Sequence, residues 1–413
     1  MAAGLGTRMR STTPKHLHPL LGRRMVDWVL GEARQLRPEH VVVVASPDTS
    51  ELYDGVTVAV QERPLGTGDA VGAARDALDG FDGHVLVLDA AAPLLTHEHL
   101  AALVSAHERE HAAVTLLAFH GEGLPYGRLV RDADGAVQEI VEDADASAEQ
   151  REIRELNSSI YVFATDALWS ALERLEPHNA QGELYLTDTV RHIVAGGGRA
   201  AAWLCPDALA PLGVNTRAEL AVAAAVLRDR INEQHMLAGV TIVDPRTTWI
   251  DAGVELGEDV TIHPFTVIRG DVRVARGVEI GPFAYIRPGA RIDENAKIGT
   301  FVEVKNSSIG ARTKIPHLSY VGDADIGEDT NVAAGNITAN FPHEPGMGKG
   351  RTTIGRNVRT GVDNAFIAPV TIGDNAWVAA GSVITEDVPP DALAIARARQ
   401  ENKEGYAGGK RHD

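Results

Sequence analysis

Two glycine-containing segments near the N-terminus have residue types suited to binding phosphate. In "MAAGLGTRMRSTTPKHLHPL", Gly4 and Gly6 precede the cations Arg8 and Lys15. Glycine lets the backbone approach a phosphate closely, and the cations neutralise its charge. A structural turn explains this pattern equally well by itself. A second loop, "QERPLGTGDAV", makes nucleotide binding the favoured interpretation, because its polar groups are suited to contacting a base: Gln61, Gly66, Thr67 and Gly68.

A histidine in the second half of the chain is a candidate general base. His317, in "KIPHLSYVGD", lies among repeats that contain polar residues, namely Arg287, Lys305, Tyr320, Asn331 and Asn340. An imidazole that takes a proton near neutral pH commonly assists an amine that attacks an acyl donor. A structural hydrogen-bonding role for the histidine and a solvated role for the cations stay open. Recurrence on consecutive coils, which stacks distant residues on one face, favours the functional interpretation.

The elements that position the first group have a βαβ pattern. Short apolar runs such as "HVVVVAS", "HVLVLDA" and "AVTLLAF" alternate with helix-like stretches over residues 1–227. This alternation predicts an α/β domain with a mostly parallel sheet, and ligands then bind at the carboxyl ends of the strands. The stretch "AELAVAAAVLRDRINEQHMLAG", residues 218–240 in our assignment, predicts a helix that joins this domain to the next.

The elements that position the second group repeat every six residues. Aliphatic side chains occur at this interval from Leu256 to Val304, through Ile262, Ile268, Val274, Ile280, Ile286, Ile292 and Ile298. Single-residue slips continue the pattern through Ile309, Ile315, Val321, Ile326 and Val332 towards Ile372 and Val378. This is the hexapeptide signature of a parallel β-helix, which we assign to residues 250–400, followed by a tail at 401–413. Flat faces and an open end favour association of such coils.

Composition limits the functions to consider. A chain of 413 residues is expected to form two domains. The net charge of −18 argues against nucleic-acid or membrane-surface binding, both of which need a basic face. The single cysteine, Cys205, excludes an internal disulfide, and with no apolar run of membrane-spanning length it predicts a reduced, cytoplasmic setting.

Ten motifs are distributed along the whole chain: "AAGLGTRM", "PKHLH", "LGTG", "YGRLV", "AQGELYLTD" and "GVNTRAEL" in the first half, and "GPFAYIRPGA", "FVEVKN", "PHLSYVGDADIG" and "AAGSVITEDVP" in the second. With these motifs the chain resembles the bifunctional N-acetylglucosamine-1-phosphate uridylyltransferase/glucosamine-1-phosphate N-acetyltransferase family. The resemblance implies a Rossmann-like pyrophosphorylase domain and a left-handed β-helix acetyltransferase domain. It also implies acetyl-CoA as co-substrate, Mg²⁺ if the first half is active, and a homotrimer with acetyl sites between subunits.

The first half departs from the family at the metal-binding motif. Its G-D-x-P aligns with Ala90–Pro93, so Ala91 stands where the carboxylate is expected. Asp69 replaces a histidine, Ala144 replaces a cation, and the strand before the glycine loop is absent from the sequence. Asp89 lies two residues early and is expected to face away from the site. We therefore predict a vestigial nucleotide site without a metal and without useful uridylyl transfer, at the matching positions Gly4, Gly6, Arg8, Lys15, Gln61, Gly66, Thr67, Gly127, Glu142, Asn157 and Asn215.

The second half keeps more of the family's residues. The resemblance makes His317 the catalytic base and implies a substrate site at Arg287, Glu303, Lys305, Tyr320, Asn331, Asn340 and Lys349, with acetyl-CoA contacts at Ala380 and Arg397. Two departures lie where the acceptor meets the thioester. The family's N-Y-D-G-x-x-K is replaced by "NFPHEPGMGK", in which His343 and Glu344 offer new hydrogen bonds, and Val362 replaces a serine.

These departures lead to one main hypothesis and two alternatives. The main hypothesis is an acetyl-CoA-dependent N-acetyltransferase of a small anionic amine, repurposed for a specialised biosynthetic pathway, with uridylyl transfer lost. The first alternative is a working bifunctional enzyme that recruits another carboxylate to its metal. The second is a non-catalytic subunit that regulates an intact relative, against which the retention of His317 beside three cations argues.

Overall fold

The structure is a computed structural model that describes residues 1–4, 6–342, 346 and 348–407. The chain divides into two compact units, Met1–Leu227 and residues from Arg228 onward. Helix α7, Arg217–Leu237, contains the boundary between the units. None of the helices in the described ranges is long and apolar enough to cross a membrane.

The first unit is built from strands and helices that alternate along the chain. Its strands are β1 (Pro19–Leu20), β2 (Arg23–Arg24), β3 (Val42–Ala45), β4 (Thr57–Val60), β5 (His84–Val87), β6 (Val114–His120), β7 (Arg128–Arg131), β8 (Val137–Val141), β9 (Glu155–Ala164) and β10 (Ala200–Leu204). Its helices are α1 (Met25–Gln35), α2 (Thr67–Gly72), α3 (His97–Glu110), α4 (Ala148–Arg151), α5 (Thr165–Leu172) and α6 (Asp188–Ala195).

The main sheet of this unit is mixed, with the order β10-β6-β9-β7-β8 and β5 on the far side of β9. Strand β9 runs antiparallel to β5, β6 and β7, whereas β10 is parallel to β6 and β3 is parallel to β4. The expectation of a mostly parallel sheet was therefore wrong. The reason is local: β7 and β8 form a hairpin, and no long crossover helix separates β8 from β9.

Burial on both faces explains the continuous apolar runs. Leu116 on β6 packs into one core cluster, which includes Phe163 of β9, and Leu117 packs into another cluster, which includes Leu103 of α3. A strand covered on both sides needs apolar residues at consecutive positions.

The N-terminal residues lie between the ends of two strands. The amide of Ala2 donates to the carbonyl of Val44 at 2.7 Å, and the Met1 ammonium donates to the carbonyl of Leu88 at 2.7 Å. Burial lowers the pKa of that ammonium. An apolar cavity of about 310 Å³, lined by strand residues that include Val43 and Leu86, lies beside Met1.

The second unit is a parallel β-helix with three strand ladders. The first ladder contains β11 (Thr241–Ile242), β14 (Thr261–Ile262), β17 (Glu279–Ile280), β20 (Lys297–Thr300) and β23 (Lys314–His317), and later coils continue it with β28 (Arg359–Thr360), β31 (Trp377–Val378) and β33 (Leu393–Ala394). The second contains β12 (Trp249–Ile250), β15 (Val267–Ile268), β18 (Tyr285–Ile286), β21 (Glu303–Lys305), β24 (Tyr320–Gly322), β26 (Ile337–Ala339), β29 (Ala365–Ile367) and β32 (Val383–Ile384). The third contains β13 (Glu255–Leu256), β16 (Arg273–Val274), β19 (Arg291–Ile292), β22 (Ser308–Ile309), β25 (Ala324–Ile326), β27 (Thr352–Ile354) and β30 (Val370–Ile372).

The six-residue period places one aliphatic side chain of each strand inside the coil. Ile262, Ile280, Ile298 and Ile315 are register partners on successive coils, and all four are fully buried. The pairing of Ile298 with Ile315 absorbs the single-residue slip seen in the sequence. Stacked coils therefore share one continuous aliphatic core.

Two candidate active sites

The glycine loops of the first unit line a cavity of about 440 Å³. Gln61 follows β4 and Asp89 follows β5, so the cavity lies at the carboxyl ends of these two strands. Its lining includes six of the predicted nucleotide-site positions, namely Gly4, Gly6, Lys15, Gln61, Gly66 and Thr67.

Close backbone approach explains two of these glycines. At Gly66, φ is +125°, and a Cβ would lie 2.5 Å from the Leu184 carbonyl oxygen. At Gly6, φ is +60°, and a Cβ would lie 2.6 Å from Cβ of Lys15. Any larger residue at either position forces the loop to move. The glycines therefore fix the shape of the cavity wall.

The side chain of Gln61 is held in place beside these loops. Its Nε2 donates to Oδ2 of Asp69 at 2.7 Å and to the Gly66 carbonyl at 3.1 Å. Asp69, which replaces the family's histidine, thus orients Gln61. Thr67 accepts a hydrogen bond from the Leu186 amide at 3.0 Å, which ties the loop to the segment before α6.

Three other predicted positions form a separate group. The Asn157 amide donates to the Gly127 carbonyl at 2.8 Å, and a Cβ on Gly127 would lie 3.5 Å from Oε2 of Glu142. Burial raises the pKa of Glu142, whose Oε1 accepts from Thr187 at 3.1 Å. None of these three residues is among those that line the glycine-loop cavity, and neither is the exposed Arg8.

The loop after β5 differs from our expectation. Asp89 lines the cavity, and its Oδ2 lies 3.8 Å from Nζ of Lys15, which also donates to Oδ1 of Asn215 at 3.0 Å. The expectation that Asp89 faces away was wrong. Strand β5 ends at Val87, so strand alternation does not apply there, and residues two apart share a face even within a strand. Ala91 is fully buried and packs in an apolar cluster with Leu20, Met25, Leu94 and Val214.

Cations converge on the second ladder of the β-helix. Arg287 donates from Nη1 to Oε1 of Glu303 at 2.6 Å. The nearby Lys349 ammonium lowers the pKa of Lys305, and the charge of Arg287 lowers it further. Like charges held this close favour an anion between them. Tyr320, the register partner of Glu303, lies on the next coil.

Asn340 connects this cluster to an acidic residue that the sequence analysis did not single out. Its Nδ2 donates to Oδ2 of Asp323 and lies 3.5 Å from the hydroxyl of Tyr320. Asp323 is 8% exposed and also accepts from Asn306. Its place in the motif "YVGDADIG" was the available signal. The acid anchors two amide side chains beside the cations.

His317 is exposed at the end of β23, where the first ladder turns towards the second. Among the described residues, the structure shows no hydrogen-bond partner for its ring. Ala334, Val362 and Ala380 follow it at the same position of later coils, and the Ala380 carbonyl accepts from Nη1 of Arg397 at 2.8 Å. The histidine therefore begins a column of small side chains.

Two predictions receive no geometric support within one chain. Asn331 bridges Lys314 and Arg359 on the first ladder, so the chain does not bring it to the cation cluster on the second. His343 and Glu344 lie outside the described residues, so their proposed contacts stay predictions. Phe341, at the start of that loop, is 75% exposed.

An α/β unit with a cavity lined by glycine loops, joined to a β-helix that has an exposed histidine on one ladder and a cation cluster on the next, defines a two-domain transferase. Residues 1–193 match the model of the MobA-like NTP transferase domain. Residues 253–287 and 271–306 match the bacterial transferase hexapeptide (six repeats), and residues 351–386 match the hexapeptide repeat of succinyl-transferase. The predicted fold class, a Rossmann-like domain followed by a left-handed hexapeptide β-helix, is confirmed.

The chain belongs to the family of the bifunctional protein GlmU. It is 44% identical to the bifunctional protein GlmU of Mycolicibacterium paratuberculosis, covering 100% of this chain and 93% of the relative. Identity is also 44% to the proteins of that name from Mycobacterium tuberculosis and Streptomyces coelicolor, with 92% and 94% of each relative covered. The prediction of an acyltransferase is thereby confirmed, whereas the roles of individual site residues stay predictions.

Proposed function

We propose that the chain is a working two-site enzyme. In the β-helix it transfers an acetyl group from acetyl-CoA to the amine of glucosamine-1-phosphate. In the α/β unit it transfers a uridylyl group from UTP to N-acetylglucosamine-1-phosphate. Similarity along the whole chain to relatives named bifunctional supports this proposal over an acetyltransferase repurposed for another amine.

The convergence of Arg287, Lys305 and Lys349 is the observation that supports the acetyl-transfer site best. Lys349 and Arg287 both lower the pKa of Lys305, so the three charges act on one region. A phosphate placed there relieves the repulsion between the cations and accepts charge-assisted hydrogen bonds. Glu303 and Asp323 lie beside the cations and favour an acceptor that also has hydroxyl and amine donors.

His317 is the proposed general base. As the acceptor nitrogen attacks the thioester carbon, the C–N bond forms, the nitrogen loses its proton to the imidazole and the carbonyl oxygen becomes an oxyanion. Collapse of this intermediate breaks the C–S bond, and the departing thiolate of coenzyme A takes the proton. Because the ring has no partner among the described residues, it is open to the acceptor.

The column that begins at His317 is the proposed path of acetyl-CoA. Coils stack about 4.8 Å apart, so Ala380, three coils away, lies roughly 14 Å from His317 along the column. The small side chains of Ala334 and Ala380 leave room for a thin chain such as pantetheine. Arg397, held by the Ala380 carbonyl, provides a cation for the phosphates at the far end.

The glycine-loop cavity is the proposed uridylyl site. Gly4, Gly6 and Lys15 would hold the triphosphate, and Gln61 would contact the base. A divalent cation supplies neutralisation of phosphate charge during nucleotidyl transfer. No group of three metal-binding His, Cys, Asp or Glu side chains occurs in the described part of the chain. Mg²⁺ commonly needs only one or two carboxylates besides the substrate phosphates, and Asp89 with Asn215 fits that requirement.

Release of coenzyme A thiol across a panel of amines tests the acetyl-transfer proposal. Glucosamine-1-phosphate should give the highest kcat/KM, and glucosamine should fall roughly 100-fold below it because the phosphate anchor is missing. Preference for another anionic amine would instead support the repurposed acetyltransferase. Absence of thiol release with every amine would support the regulatory subunit.

A further inference from the structure

In the proposed uridylyl site, this chain has its carboxylate at a different position of the loop after β5 than the family has. The residue that aligns with the family's metal-binding aspartate, Ala91, is 0% exposed and packs against Leu20, Met25 and Val214. Ala91 therefore provides no oxygen to the cavity, and a carboxylate buried among these apolar side chains would lose favourable hydration. The cavity nevertheless contains a carboxylate from the same loop, that of Asp89.

The side chains of Asp89 and Asn215 converge on one cation. The Lys15 ammonium lies 3.0 Å from Oδ1 of Asn215 and 3.8 Å from Oδ2 of Asp89. Nδ2 of Asn215 donates to the Gly213 carbonyl at 3.2 Å, which directs its oxygen towards the ammonium. The Lys15 ammonium therefore occupies a position where two side-chain oxygens contact a cation.

Gly213 borders the space between these two side chains. A Cβ at this position would lie 3.4 Å from Oδ2 of Asp89 and 3.8 Å from Nδ2 of Asn215. Oδ1 of Asp89 accepts from the Ala91 amide at 3.0 Å, so the turn fixes one carboxylate oxygen and leaves Oδ2 for a ligand. The donor set is one carboxylate and one amide oxygen, both hard ligands suited to Mg²⁺ or Mn²⁺.

We propose that Asp89, with Asn215, binds the divalent cation that accompanies the uridine nucleotide, in place of the carboxylate missing at Ala91. The Lys15 ammonium, on its flexible stem, moves to the phosphates when the metal binds. This inference rests on the proposed uridylyl function of the first unit. It assigns the metal to a loop position two residues before the family's.

Metal binding by the full-length protein tests the assignment without a turnover measurement. The probe is Mn²⁺ titrated into protein saturated with UDP-N-acetylglucosamine, followed by electron paramagnetic resonance and calorimetry. Asp89→Asn keeps an oxygen for the Ala91 amide but removes the charge, so the fold is retained. We expect the Kd for Mn²⁺ to rise at least tenfold, with little change in nucleotide binding measured in EDTA.

Two matched variants separate ligation from other effects. Glu183→Gln removes a carboxylate from the same cavity and should change the Mn²⁺ affinity less than twofold. Ala91→Asp should lower the unfolding temperature without tightening Mn²⁺ binding, because its side chain faces the apolar cluster. If Glu183→Gln weakened Mn²⁺ binding as much as Asp89→Asn, the effect of Asp89 would be general electrostatic attraction, and the assignment would be overturned.

The remaining outcomes are also decisive. An unchanged Kd for Mn²⁺ in Asp89→Asn, or tighter Mn²⁺ binding in Ala91→Asp, overturns the assignment of the metal ligand. If the protein still binds UDP-N-acetylglucosamine in EDTA, the proposed function of the first unit is retained. Failure of the wild-type protein to bind UDP-N-acetylglucosamine with or without Mn²⁺ overturns both. Acetyl transfer in the second unit is independent of each of these results.

Discussion

At the scale of single residues, the exposed imidazole of His317 is suited to proton transfer because no described side chain occupies its nitrogens. Removing it in His317→Ala should lower the kcat of acetyl transfer by roughly 10²- to 10⁴-fold, the usual contribution of a positioned base. The proton moves only in the transition state, so the KM for the acceptor and the Kd for acetyl-CoA should change little.

A second histidine on the same β-helix is the control for this prediction. His263 pairs with Glu279 at 3.0 Å, three strands earlier on the first ladder, and has no proposed catalytic role. His263→Ala should retain the wild-type kcat. Equal losses in both variants, or an intact rate in His317→Ala, would contradict the assignment of the base.

The cation cluster predicts a substrate-dependent effect. Lys305→Ala should lower kcat/KM for glucosamine-1-phosphate by roughly 10- to 100-fold, since a charge-assisted hydrogen bond contributes about 1.5–3 kcal/mol. The same variant should scarcely change the slow reaction of glucosamine, which has no phosphate. Lys297→Ala removes a lysine that is already paired with Glu279 and should leave both substrates unaffected. Steady-state kinetics with both amines measure this difference. An equal fall in kcat/KM for the two amines in Lys305→Ala would contradict a phosphate-binding role of the cluster.

At the scale of elements, one corner of the β-helix has a ladder of exposed aromatic rings. Phe265, Phe283 and Phe301 stack with centroid distances of 4.9 Å and 5.2 Å. All three have positive φ, which is unfavourable for bulky residues. Stacking along the corner offsets that backbone strain, so the ladder supports coil formation as well as covering the corner.

The position of each ring in this ladder predicts its contribution to stability. Phe283→Ala removes two stacking contacts and should destabilise the second unit by about 1–3 kcal/mol, at 0.5–1.5 kcal/mol for each aromatic pair. Phe265→Ala removes one contact and should cost about half as much. Calorimetry of the full chain measures both. Equal losses in the two variants would show that stacking does not determine the stability of this corner.

At the scale of the whole molecule, the β-helix leaves apolar side chains on its surface. Leu318, Trp377 and Leu393 are each 60% exposed, and Val383 is 50% exposed. We predict a homotrimer, because flat ladders of this kind pack around a threefold axis. Sedimentation at micromolar concentration should give about three times the chain mass of 44.0 kDa. A monomer would contradict this and any acetyl site shared between subunits.

Buried histidines predict a pH dependence of the first unit's stability. Burial lowers the pKa of His16 and of His107 to about 4. The unfolded chain therefore binds protons below its pKa of 6.5 that the folded chain does not, and stability falls as the pH drops from about 6.5 towards 4. At pH 5 each histidine should cost about 1–2 kcal/mol. Calorimetry between pH 7.5 and pH 5 measures this loss.

A pair of substitutions isolates the histidine effect. His107 lies in the core and contacts Thr115 at 3.0 Å, so His107→Gln should remove about half of the combined loss at low pH. His178 is exposed, and His178→Gln should leave the pH profile unchanged. Identical profiles for both variants would assign the acid sensitivity to other groups.

Most of the fold could be predicted from local sequence patterns. The interval from Leu256 to Val304 predicts a β-helix because each strand, turn and inward side chain recurs within six residues, and neighbouring coils repeat the same contacts. The mixed sheet of the first unit could not be predicted in the same way. Its order depends on how β9 inserts between β6 and β7, and no short segment encodes that pairing.

The sequence by itself determined the class of fold, the glycine loops, His317 and the set of cations, because these depend on residue type and spacing. Only the tertiary structure decided which side chains meet. Lys15, Asp89 and Asn215 lie 74 and 126 positions apart along the chain. The fold brings together the turn before β1, the loop after β5 and the segment before α7. Only the structure shows that Ala91 is buried and that Asp89 lines the cavity. The direction of a side chain after a strand depends on the turn and on the core packed beneath it.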